Sequence, residues 1–309
     1  MSAMLRSKKL SFRLVPASAM LAIAAVCWSP VASAGALTDY LKYTIGVDTT
    51  TNITSDDRAN NLWKPTTTGV AYEVVDNSSG NLRTGAGYGG QPYDLEALYV
   101  QKSGSSLIIT GVAGANPLMY ACPNGTSCPA ISPTFGMGDF FLGSLSGSTY
   151  SPKIGVETTG QNFTMNSSGN TAGYTTPLTA GKLVNLGGSV TTTGPTTGTT
   201  SSPQGWETGL ANWNNVPAPS QIATSGYTPN TSTSAAMAYE LLAGNHYIYQ
   251  ATITNFALLG LGNDITVHWG EICGNDWLRT TANVPLPSSL ALFLLGGAGL
   301  AAGTRRRRV

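Results

Sequence analysis

The chain has 309 residues, a formal net charge of +1 and only 10% charged side chains. Four of its 16 Lys and Arg precede Gly35, four more are Arg305 to Arg308, and all 15 Asp and Glu lie between, so that stretch carries 8 − 15 = −7. An acidic body argues against a nucleic-acid partner, because phosphate binding wants a basic face, and the lack of long amphipathic charged runs argues against a helical fold.

The first element is a leader. Arg6, Lys8, Lys9 and Arg13 make a positive start, Leu14 to Val26 is mostly apolar, and Ala32-Ser33-Ala34 offers small residues where a signal peptidase reads. This order predicts a signal peptide over 1–34, with Ala32 and Ala34 as the recognition residues and Gly35 as the mature start. An anchor helix would need ~20 apolar residues, more than this run has. Cys27 is not a lipoprotein site, because Val26 stands where a small residue is required.

Residues 35–283 read as one all-β domain. Short β-branched and aromatic runs alternate with Gly, Asn and Pro clusters, which predicts a single β-sandwich of jelly-roll-like type. Strands are expected over Tyr40–Val47 and Gly69–Val75, followed by a turn at 76–80. Tyr93 to Gln101 alternates, placing Tyr93, Leu95, Ala97 and Tyr99 on one face and Asp94, Glu96, Leu98 and Val100 on the other. Lys102-Ser103-Gly104-Ser105 then turns the chain into a second strand over Ser106–Val112, a hairpin. Further strands are expected at Gly138–Gly143 and Lys153–Glu157. Residues 189–203 are almost only Thr, Ser and Gly, a composition that predicts a flexible surface loop. Ala235–Leu242, Tyr247–Phe256 and Asp264–Ile272 complete the strands, the last two joined by Leu259–Asn263.

The chemistry-bearing residues are few. Asp94 and Glu96 share a strand face, and Asp139 is a candidate to join them. Three oxygen-rich side chains would suit Ca²⁺; the plainer reading is that they bond to backbone and turns, and a third is an acid/base glycosidase using Asp94 and Glu96. No resident cofactor is required by any motif, and no nucleophile elbow or phosphate loop occurs. His246 and His268 lie outside any recognisable triad, and a packed or rim role is expected for His268. Trp206, Trp213 and Tyr227 are the aromatics that could stack on sugar rings. After export three cysteines remain. Cys122 and Cys128 bracket a turn-rich loop and are the favoured disulfide, with Cys273 pairing to either as the alternative.

The chain closes VPLPSSLALFLLGGAGLAAGTRRRRV. Pro285 and Pro287 keep the peptide extended. Ser288 to Gly303 is an apolar stretch of 16 residues, and Arg305, Arg306, Arg307 and Arg308 would hold its far end on the cytoplasmic side. This tail, 284–309, resembles the PEP-CTERM sorting signal of Gram-negative bacteria, which a membrane protease, exosortase, recognises; Leu286 stands where that family usually has Glu. The segments PYDLEALYV, LIITGVAG, MGDFFLG and VHWGEICGNDWL resemble exosortase-dependent surface proteins without assigned enzymatic activity, most specifically at Cys273-Gly274-Asn275-Asp276. DLEALYV and the strands after it are also similar to sugar-binding β-sandwiches of the family-nine and DOMON kind.

The resemblance implies signal peptidase and exosortase as processing partners and a membrane-tethered precursor. It also implies a final place on the cell surface or in the extracellular polysaccharide matrix. The first expectation is therefore a non-enzymatic exported surface or matrix protein. A carbohydrate-binding module is the second, and the glycosidase the third.

Overall fold

The computed structural model describes residues 35–49, 62–74, 95–114, 117, 137–147, 149–160, 162–165, 171–175, 179–187, 190–191, 206–208, 219–222, 227–242, 246–270 and 277–285. Sixteen strands run through them: β1 Ala71–Val74, β2 Leu95–Ser103, β3 Ser106–Ala113, β4 Phe140–Ser146, β5 Thr149–Val156, β6 Asn162–Met165, β7 Thr171–Thr175 and β8 Leu183–Asn185, then β9 Val190–Thr191, β10 Trp206–Thr208, β11 Pro219–Ile222, β12 Thr228–Pro229, β13 Ala235–Leu242, β14 His246–Ile253, β15 Asp264–Gly270 and β16 Trp277–Asn283. The described residues are mostly β, and their strand pairings are antiparallel. One sheet has five strands in the order β1-β2-β3-β14-β13. Another has seven, in the order β12-β8-β5-β4-β15-β16, with β9 also on β5. The pairs β6-β7 and β10-β11 form separate two-stranded sheets.

The β2–β3 hairpin forms as expected, with Ser103 opposite Ser106. Its two-residue turn uses Gly104 at φ 59, a left-handed conformation that a side chain disfavours. The face assignment within β2 differs from simple alternation. A bulge between Leu95 and Ala97 puts two residues of β2 against one step of β3. Leu95 therefore joins Leu98 and Val100 in one hydrophobic cluster, while Ala97 and Tyr99 belong to another.

The larger cluster draws on both main sheets. Leu107, Ile109, Tyr249 and Ala251 come from the five-stranded sheet; Phe140, Leu142, Val156, Val267 and Trp269 come from the seven-stranded one. Tyr249 and Trp269 bring their rings to 5.2 Å. Gly111 lies under the Trp269 ring, where any Cβ would overlap it.

The expected strand over Tyr40–Val47 is a helix. A short α-helix, Ala36–Asp39, runs into a wider π turn, Tyr40–Ile45. Leu37, Leu41 and Ile45 recur every fourth residue, a helical period, and all three are buried. With Val47, Trp63 and Val70 they cover Ala97, Tyr99, Val112 and Ile248 on the outer face of the five-stranded sheet. Each fully buried Leu or Ile contributes about 1.5–3 kcal/mol. Tyr99 donates its hydroxyl to the Trp63 carbonyl at 2.5 Å. The helix start is held from β13, where the Glu240 carboxylate accepts the Leu37 N–H at 2.7 Å and the Thr38 N–H at 3.3 Å.

The connection at 254–263 is not a hairpin. β14 pairs with β13 and β3, whereas β15 pairs with β16 and β4, so the chain crosses from one sheet to the other there. After β16, Val284 is buried in the common core and donates its N–H to the Asn263 carbonyl at 2.6 Å, and Pro285 emerges exposed. No helix among the described residues is long and apolar enough to cross a membrane. The leader, the 192–200 part of the Thr/Ser/Gly loop and the expected sorting helix lie outside them.

Candidate functional site

Asp139 precedes β4 and Glu157 follows β5. The ladder runs Phe140 opposite Val156, so the next step sets Asp139 beside Glu157. A strand-end carboxylate pair is thus a product of hairpin register. Both side chains are buried, at 3% and 1% exposure, which makes their hydrogen bonds decisive. Asp139 Oδ1 accepts the Thr158 N–H at 2.9 Å and the Thr158 hydroxyl at 3.3 Å; Oδ2 accepts the Ile222 N–H at 2.7 Å. Glu157 Oε1 accepts the Gly160 N–H at 3.0 Å.

The two carboxyls lie close enough to influence each other's ionisation. Burial pushes Asp139 up to about 6, against the opposing pull of its backbone donors. Burial likewise raises Glu157 well above the usual carboxylate range, and Asp139's charge and hydrogen bond raise it further. Burial therefore favours the protonated form of both groups, and their proximity opposes ionising them together. Around them, Tyr239 donates its hydroxyl to the Thr158 carbonyl, and Trp269 Nε1 donates to the Gly138 carbonyl at 3.0 Å. Burial raises the Tyr239 phenol, with Glu157 and Asp139 adding to it. A Cβ at Gly138 would collide with the Ser220 carbonyl, so the residue before Asp139 is held to glycine.

Glu96 has a different setting. It is buried at 1% and its Oε1 lies 2.9 Å from His246 Nε2, with the Trp63 ring 5.5 Å from the imidazole. The expected grouping of Asp94, Glu96 and Asp139 therefore divides: Glu96 pairs with a base, Asp139 with an acid, and Asp94 lies outside the described residues. Among the described residues, no three or more His, Cys, Asp or Glu side chains gather as a metal ion would need.

On the outer face of the seven-stranded sheet, His268 is fully buried, as a packed histidine, with the Tyr150 ring at 5.9 Å and the Trp277 ring at 5.3 Å. The Arg279 guanidinium lies 4.6 Å from the Tyr150 ring and 4.7 Å from the Trp277 ring. Each such cation–π contact is worth roughly 0.5–2 kcal/mol. Tyr227 is half-buried against Phe141, Tyr150, Val184 and Ile222. Trp206 lies in β10. Trp213, Cys122, Cys128, and Cys273 to Asp276 lie outside the described residues, as do Ala32, Ala34, Pro287 and Arg305 to Arg308.

Sequence reasoning named Asp139 but missed Glu157 and His246 as partners. The signal for Glu157 was present, since it ends a recognised strand, but its meaning depended on register. Comparison of the chain with protein-family models, with curated proteins and with solved structures finds no match to any of them.

Proposed function

We propose that the protein is an exported, non-enzymatic surface or extracellular-matrix component of a Gram-negative bacterium, associated with exopolysaccharide. It is built as one β-sandwich of jelly-roll-like type and made as a membrane-held precursor. An exosortase-type membrane protease then releases it by cutting near Pro285-Leu286-Pro287. The core shared by the two sheets, with Trp269 of one against Tyr249 of the other, supports the sandwich. A structural role for the buried acids is supported by their mutual satisfaction, since both oxygens of Asp139 accept backbone N–H groups.

The observation that carries the reading is the exit of the tail. After the last strand Val284 is buried and Pro285 follows at the surface, so the proline motif begins at an exposed position directly after the core. A short apolar stretch and four arginines come next, the order that holds a segment at a membrane and keeps its far end inside. At the other end, the first helix starts at Ala36, just after the expected signal-peptidase site, and its opening N–H groups are taken up by Glu240.

Mass spectrometry of surface-released chains tests the proposal. Released chains should start at Gly35 and end near 285–287. Released protein that still carries the peptide Leu290–Leu300 would overturn the processing step.

A further inference from the structure

The tail leaves the body at an end built from several connections. Phe256 donates its N–H to the Ser105 carbonyl at 3.2 Å, joining the 254–263 crossing to the β2–β3 turn. Val284 is tied to Asn263, and Lys102 donates its ammonium to the Pro285 carbonyl. Gly143 of β4 lies opposite Thr266 of β15, and β4 carries Leu145 two residues further toward the same end. Two large apolar side chains are exposed there: Leu258 at 60% and Leu145 at 43%.

Tether length gives these exposures a meaning. Only Leu286 and Pro287 separate the held residue Pro285 from Ser288, where the apolar stretch starts. Three residue steps reach at most about 10 Å. The polar layer on one side of a bilayer is itself roughly 5–8 Å deep. While the apolar stretch is lodged in the membrane, this end of the body has no room to leave the interface.

We propose that the end formed by the 254–263 crossing and the tip of β4 is a bilayer-contact surface of the precursor. Leu258 enters the interface there, and Lys102 lies among the lipid headgroups beside the tail. The inference rests on the tail being membrane-held, as proposed above. Its consequence is that the proline motif is presented to a membrane protease at a set depth and orientation. Once the tail is cut, the tether that enforces the contact is gone, and the body separates from the membrane.

Leu241 supplies an internal control. It is equally exposed, at 60%, but sits beside the Leu242–His246 closure of β13 and β14, at the opposite end of the sheet from Ile253. The full chain, uncut, is reconstituted into phosphatidylethanolamine–phosphatidylglycerol vesicles with a benzophenone amino acid replacing Leu258 or, separately, Leu241. Irradiation should give a lipid adduct at position 258 at least fivefold above that at 241. Equal yields, or adducts at 258 to a second copy of the chain in place of lipid, would overturn the inference. Flotation separates the two levels. A chain that floats with the vesicles but gives no lipid adduct at 258 defeats the contact surface alone, whereas a chain that does not float defeats the membrane-held tail and the contact surface with it.

Discussion

Glu96 and Asp139 are carboxyl groups buried to nearly the same degree, and each meets a different kind of partner. On the five-stranded sheet, Glu96 meets the imidazole of His246 beneath Trp63, part of the N-terminal segment that covers that face. Beside the seven-stranded sheet, Asp139 meets the backbone of Thr158 and Ile222 and a second acid, Glu157. The first arrangement sets an imidazole against the buried carboxyl. The second surrounds its carboxyl with backbone donors and a second acid whose protonated form burial favours. The first joins β2 to β14 within one sheet beneath the Trp63 ring, the second ties β11 to the edge of the β4–β5 hairpin, and they differ in what breaks them.

The largest effect should come from removing the base. His246→Ala leaves Glu96 buried without its imidazole and should cost about 3–5 kcal/mol of unfolding free energy. Urea unfolding measures it, and a loss under about 1 kcal/mol would mean the pair is no fastening. Gly138→Ala attacks the acid pair through the backbone, since its Cβ meets the Ser220 carbonyl. The expected cost is about 1–3 kcal/mol, and a neutral result would show that β11 can move away freely.

A pH series sharpens the contrast. Asp139 and Glu157 hold protons in the folded protein at a pH where the unfolded chain has released them. Their contribution is therefore full below about pH 4 and is lost as the pH rises toward and past 6. Thermal unfolding between pH 4 and 7 should show wild-type stability falling on the order of 1 kcal/mol from this source. Glu157→Gln keeps a donor near Asp139 but removes one of the two titrating groups, and should flatten that slope. An unchanged slope in the variant would place the titration elsewhere. The smallest effect belongs to Lys102→Ala. It removes a surface contact to Pro285 and should change stability by no more than about 0.5 kcal/mol. A loss above about 2 kcal/mol would make the tail exit part of the core.

Much of the framework was legible in residue pattern. The β2–β3 hairpin, the strand Ala235–Leu242 and the strand-rich class follow from alternation and turn residues, which are local properties of the chain. The first segment misled, because Tyr, Ile, Val and Thr favour strands while Leu37, Leu41 and Ile45 repeat at helical spacing. Burial against the outer sheet face settled the contest in favour of the helix.

By itself, the sequence determined the strand-rich class, the acidic body and the three-part layout of its tail, because each is written in composition and short-range order. Only the tertiary structure decided which acids meet. Counted from the tight turn, where Ser146 faces Thr149, an unbroken ladder would set Asp139 opposite Val156. The shift between Leu142 and Gly143 moves the register by one residue and brings Glu157 there instead. Likewise, the bulge at Leu95–Ala97 breaks the alternation of β2 beside Glu96, which pairs with His246, 150 positions away. A bulge depends on how two strands twist and pack against the rest of the fold, so no reading of either strand alone reveals which face or which partner a side chain will have.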